Sequence, residues 1–206
     1  MIGVFGGTFD PIHNGHAHIA AAVIAEIDLE QLLFVPCAEP VHRPEARASA
    51  EQRCAMIELA LAGQPRMRLD RIEIERGGPS YTVDTLRELG RQSDDALLLL
   101  LGADAFNGFG SWKAPAEILR LANLAICIRP GTAVDRESYA GHRVDSAASL
   151  KTCPAGGILL LEVGAPDCSS SSVRAALDAG DIPISCLHPD VADYIRQRHL
   201  YRRPGD

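Results

Sequence analysis

The chain has 206 residues, 47% of them hydrophobic, enough for one sizeable core and too few for two full domains, so residues 1–206 read as a single domain. Twenty basic against 27 acidic residues leave a net charge of −7, with no long basic block and only five Phe and one Trp to interleave with it, which argues against a nucleic-acid partner. No apolar stretch reaches membrane-spanning length, no signal-peptide pattern opens the chain and the six cysteines contain no C-x-x-C pair, so the expectation is a cytoplasmic protein with reduced thiols and no membrane partner.

In chain order, Ile2, Val4 and Phe5 form a short apolar strand that ends in Gly6-Gly7, a pair expected to let the backbone turn where a Cβ would clash. Asp10-Pro11 marks a turn, and Ile19, Ala20, Val23, Ile24 and Ile27 lie at helical spacing over Ala17–Ile27. Gln31–Val35 reads as a strand and Glu51–Leu61 as a helix. Arg68–Glu75 alternates charged and apolar residues like a half-exposed strand, and Thr82–Leu89 is helical. Ala96–Leu101 is too apolar for anything but a buried strand. Ala114–Leu121 is a further helix and Leu124–Ile128 a further strand, ended by Pro130-Gly131. Residues 132–154 are polar and short of apolar periodicity, and read as a variable loop. Ile158–Val163 is the last strand; Ser171–Leu177 and Val191–Arg198 are the last helices. Alternating strands and helices predict an α/β fold, a parallel sheet flanked by helices with a small helical C-terminal part.

The chemistry concentrates at helix starts. His13 and His16 lie three residues apart, which on a helical turn puts both imidazoles on one face at an N-terminus whose free N–H groups favour anions. Two histidines there point to a triphosphate, with simple N-terminal capping as the plainer alternative. The glycines do not fit the G-x-G-x-x-G dinucleotide pattern. A zinc site fails because no carboxylate or cysteine stands at ligand spacing beside His13, His16 and His18. CSSSSVR at 168–174 supplies an N-cap, several hydroxyls and Arg174, expected within the first helical turn, and so reads as a second anion site. Asp104 follows a buried strand at its C-terminal end, where ligands bind in open α/β sheets, and a carboxylate there suits ribose hydroxyls. Trp112, the only tryptophan, lies in a glycine-rich stretch and could stack on a ring or pack in the core; Phe106 and Phe109 read as core. Asp84 reads as a dipole-complementing residue. His42-Arg43 lies in a proline-flanked loop, and His142, His188 and His199 carry no assignment.

GGTFDPIHNGH at 6–16, PVHRP at 40–44, SYTVDTL at 80–86, LLGADAFNGFGSWK at 100–113 and CSSSSVR at 168–174, in this order, resemble the bacterial nicotinate-mononucleotide adenylyltransferases of the nucleotidylyltransferase superfamily. The chain departs from that pattern at Val41 and Arg43, where a proline and a lysine are more usual, and at Cys168, where an isoleucine is. The resemblance implies a Rossmann-like nucleotidyltransferase fold and transfer of AMP from ATP to nicotinate mononucleotide, with Mg2+ accompanying ATP. It implies that His13, His16 and Arg174 act on the phosphates, and that Gly6, Gly7, Thr8, Phe9, Ser170 and Ser171 line the ATP site. His42, Arg43, Thr82, Asp104 and Trp112 are then the acceptor residues, Thr82 capping its helix while amides near it and Trp112 receive the nicotinate carboxylate. The attacking phosphate is already largely dianionic at neutral pH, its second pKa being about 6, so no general base is required. Transfer to the nicotinamide mononucleotide, or a non-catalytic nucleotide-binding module, are the alternatives. No oligomeric state is assigned.

Overall fold

The computed structural model describes residues 1–41, 45–164 and 166–201. Its centre is built from the two most apolar runs: β6 (Leu97–Gly102) and β7 (Ala122–Ile128) pair in parallel, and β7 is buried along its whole length. On one side β1 (Ile2–Gly7) pairs with β6, followed by β2 (Gln31–Pro36) and the short β4 (Met67–Leu69); on the other side β8 (Ile158–Glu162) pairs with β7. The order β4-β2-β1-β6-β7-β8, all parallel, is that of a doubly wound sheet, and the winding reverses between β1 and β6. A crevice at the C-terminal ends of those two strands is therefore the place for a ligand.

Side chains alternate between the two faces, so β2 sends Leu32 and Phe34 into one core and Leu33 and Val35 into the other. The first core is covered by α1 (Asn14–Ile27), α2 (Ala50–Ala60), α7 (Ala147–Thr152), α8 (Ser170–Asp178) and α9 (Pro189–Gln197). The second is covered by α3 (Ile72–Arg76), α4 (Thr82–Gln92), α5 (Ala103–Asn107) and α6 (Pro115–Leu121). A two-residue ladder joins β3 (Glu39–Pro40) to β5 (Pro79–Ser80), a pairing with no signal in the sequence.

Three expectations change. The alternating stretch 68–75 is a strand only to Leu69, because the Asp70 carboxylate accepts from the Ile72 amide at 2.9 Å and starts α3. The polar stretch 132–154 holds a 3₁₀ turn at Ala140–His142 and α7, the latter capped by Ser146 and anchored by the buried Leu150. The thiols are not all reduced: Cys168 and Cys186 form a disulfide, while Cys37, Cys54, Cys127 and Cys153 are free. The partners stand 18 residues apart with α8 between them, so spacing alone could not pair them. Among the described residues no helix is long and apolar enough to cross a membrane.

Candidate active site

The chain leaves β1 into the crevice through Thr8–Pro11, where Phe9 takes a left-handed backbone (φ 49°) and the Asp10-Pro11 bond is cis. The turn is thus made by Phe9 and not by the glycine pair, which has no positive φ. A Cβ on Gly7 would stand 3.0 Å from the Phe9 ring, whereas one on Gly6 would meet nothing within 4 Å. Gly7 admits Phe9; Gly6 leaves the end of β1 open to close backbone approach. The Phe9 side chain is a core ring, packed on Phe5, Phe34 and, edge-on at 5.0 Å, His16, so only its backbone can face a nucleotide.

Two buried ionic residues hold this turn; the sequence marked Asp10 only as part of a turn and left Arg53 without a role. Arg53 of α2, 1% exposed, donates to the carbonyls of Thr8 (2.9 Å), Cys37 (2.8 Å) and Ala48 (3.3 Å), tying the exits of β1 and β2 to α2. The Asp10 carboxylate accepts from the amides of Arg47 and Ala48 and from the Tyr201 hydroxyl. Burial, then the charge of Asp10, push the Tyr201 hydroxyl far above its ordinary range, so it stays a donor.

His13 is the N-cap of α1, which makes the helix begin three residues before the apolar pattern does. Gly15 is required by close approach: a Cβ there would come within 3.0 Å of the His13 ring and 3.5 Å of the Cys168 carbonyl. The His13 and His16 rings stack at 3.7 Å between centroids, and the His16 Nδ1 accepts from the His13 amide at 3.2 Å, which places the proton of neutral His16 on Nε2. His13 Nδ1 is buried with no hydrogen-bond partner among the described residues. Desolvation, then the nearby Arg129, lower the His13 pKa from 6.5 to about 4, so the ring is neutral at pH 7. Between those values the unfolded chain binds more protons than the native one. Stability from this group is therefore complete above pH 6.5 and falls as pH drops toward 4, by on the order of 3 kcal/mol. Urea unfolding at pH 7 and pH 4.5 should show His13→Asn losing less stability on acidification than wild type; equal losses would refute the assignment.

α8 brings the second anion-type terminus to the same place. Ser169 caps it by accepting from the Ser172 amide at 3.0 Å, and the Ser170 hydroxyl donates to the Pro11 carbonyl at 3.0 Å, so that hydroxyl ties the helix to the Thr8–Pro11 turn. Arg174 sits in the second helical turn, not the first as expected, and its Nη1 donates to the Asp10 carbonyl at 2.6 Å. The disulfide holds the frame: Cys186, bonded to Cys168 just before α8, accepts through its carbonyl from the Asn14 amide at 2.8 Å at the start of α1. The N-termini of α1 and α8 are thereby locked side by side.

The remaining predicted residues lie on the β6 side. Asp104 lies in the first turn of α5 and is paired with Arg129 of the β7 exit at 3.4 Å; Arg129, missed in the sequence because it follows a strand with no motif around it, also reaches His13 electrostatically. Tyr81, not Thr82, is the N-cap of α4, and Thr82 is its first residue with no side-chain cap. Asp84 does sit in the first turn of α4, and it also accepts from Lys113 (2.8 Å) and Arg87 (2.6 Å), which hold its carboxyl below the ordinary range. Lys113 lies 4.3 Å from the Tyr81 ring centroid, so the SYTVDTL and GSWK segments are clasped together. Trp112 is half-buried, edge-on to Phe109, and its amide already donates to the Phe109 carbonyl at 3.0 Å, which removes it as a donor to a ligand. Phe106 and Phe109 are core, as expected. His42 and Arg43 lie outside the described residues.

The cytidylyltransferase-like family model matches residues 4–176. A Hydrogenovibrio crunogenus protein named "Probable nicotinate-nucleotide adenylyltransferase" is 41% identical over 205 residues, covering 98% of each chain. A protein of the same name from Chromobacterium violaceum is 39% identical over 208 residues, again with 98% of each covered. The nicotinic acid mononucleotide adenylyltransferase of Plasmodium falciparum, solved in complex with NaAD, superposes with a TM-score of 0.77 over 97% of this chain and 96% of its own, at 18% identity, a likeness of fold.

Proposed function

We propose, from the premise that this chain belongs to the cytidylyltransferase-like family, that it transfers AMP from ATP to nicotinate mononucleotide, releasing pyrophosphate and forming nicotinate adenine dinucleotide for NAD biosynthesis. Its full-length relatives carry that activity in their names. The observation that carries it is the convergence, at the point where the sheet reverses, of two helix N-termini bearing His13, His16 and Arg174. Such a site aligns two mutually repelling anions and receives charge as it moves onto pyrophosphate. His16 donates from Nε2 to the reacting phosphate, and Arg174 and the first-turn amides of α8, from Ser170 and Ser171, hold the distal phosphates. Neutral His13 supports His16 by stacking and packs against the same anion. Gly6 offers open backbone to ATP, and Gly7 and Thr8 are assigned beside it. Thr82, Asp104 and Trp112 are assigned to the acceptor, and the resemblance adds His42 and Arg43 to that group.

ATP enters as its magnesium complex. Among the described residues no group of three or more His, Cys, Asp and Glu converges to hold a metal. Mg2+ needs no such cage, since it takes phosphate oxygens and waters with only one or two carboxylates. When bound, the ion would supply neutralisation of charge on the departing pyrophosphate. The cytoplasm is the compartment assigned to this reaction. Incubation with ATP, Mg2+ and nicotinate mononucleotide should release pyrophosphate in step with dinucleotide formation; no release with any pyridine mononucleotide would overturn adenylyl transfer.

A further inference from the structure

Tyr201 belongs to none of the motifs above. It is the last described residue, 5% exposed, and its hydroxyl reaches across 191 positions of sequence to Asp10 Oδ1 at 2.7 Å. The backbone carbonyl of the same Asp10 holds Arg174 Nη1 at 2.6 Å, while the nearest approach of its carboxylate to that guanidinium is 3.9 Å, beyond hydrogen-bond reach. Asp10 therefore hydrogen-bonds Arg174 only through its carbonyl, while its carboxylate, held by the amides of Arg47 and Ala48 and by the tyrosine, makes a loose ion pair with the guanidinium through Oδ2. Arg47 adds a second link, lying over the Tyr201 ring at 5.7 Å and donating twice at 2.8 Å to Asp178 at the end of α8.

We infer that Tyr201 is a positioning residue for ATP: its hydroxyl keeps the Asp10 carboxylate from capturing Arg174, leaving that guanidinium to bind phosphate. This rests on the assignment of Arg174 to ATP made above. Without the hydroxyl, Oδ1 lacks one of its two donors, and the carboxylate is freer to turn toward the Arg174 guanidinium, which already stands 3.9 Å from Oδ2. An arginine hydrogen-bonded directly to a buried carboxylate is lost to the substrate.

Tyr201→Phe keeps the ring and removes only the donor. It should raise KM for ATP by about tenfold, the scale of one charge-assisted hydrogen bond, while KM for nicotinate mononucleotide moves less than about twofold. The ATP-induced rise in Tm should shrink in parallel, a reading that does not depend on turnover. In an Arg174→Ala background the same change should add nothing, since the group it acts through is gone. A lowered Tm with both KM values shifted alike, or a full additional loss in the Arg174→Ala background, would overturn the positioning role. An unchanged KM for ATP in Arg174→Ala alone would instead overturn the ATP assignment, and the role of Tyr201 with it.

Discussion

Offered nicotinate mononucleotide and its amide in separate assays, the enzyme is expected to favour the acid by roughly 10³-fold in kcat/KM. The origin proposed for this preference is the first turn of α4. The amides of Thr82 and Val83 have no intrahelical acceptor, and the positive end of the helix dipole lies behind them. A carboxylate accepts from both donors with charge assistance; a carboxamide can turn only one acceptor toward them and must set an NH2 against the other. Asp84 stands in the same turn and would repel an acid, but Lys113 and Arg87 have already taken its charge. Because the Trp112 amide is committed to Phe109, discrimination falls on α4 alone among the groups first considered. Trp112→Ala should weaken both acceptors through lost ring contact without reversing their order. Equal kcat/KM for acid and amide would overturn the acid as substrate and leave adenylyl transfer standing.

His16→Ala is expected to cut kcat by at least ~100-fold, the cost of removing one donor aimed at charge that develops in the transition state. The fold should survive, because Ala is a strong helix former at this third position of α1 and the Phe5, Phe9 and Phe34 rings still pack on one another. The structure separates the two histidines: His13 is the buried neutral cap, while His16 packs on Phe9 and is oriented by the His13 amide. Steady-state kinetics with a far-ultraviolet circular dichroism spectrum decides it, and near-normal kcat in a folded variant would refute the role.

What could be read in the sequence was whatever repeats locally. The runs that became β6 and β7, the helical spacing in α1 and the serine cap of α8 are each decided within a dozen residues, and they place the parallel sheet and both helix termini. The stretch 68–75 failed as a strand for an equally local reason, an Asp70 side chain competing for the backbone. The supports of the site were hidden because they act at long range. Arg53 reaches Thr8 across 45 positions and Tyr201 reaches Asp10 across 191, and no periodicity links such pairs. Arg53 did carry a faint signal, a charge set among Cys54, Met56 and Ile57, apolar residues that α2 buries.

The bond between Cys168 and Cys186 also changes the connectivity of the molecule. It closes these residues into a covalent ring that contains all of α8. A single proteolytic cut inside the ring, in the exposed stretch around Ile184, would leave both stumps joined through sulfur. The nicked protein would migrate as one species until a thiol reductant was added. Only then would the C-terminal piece, with α9 and Tyr201, part from the rest.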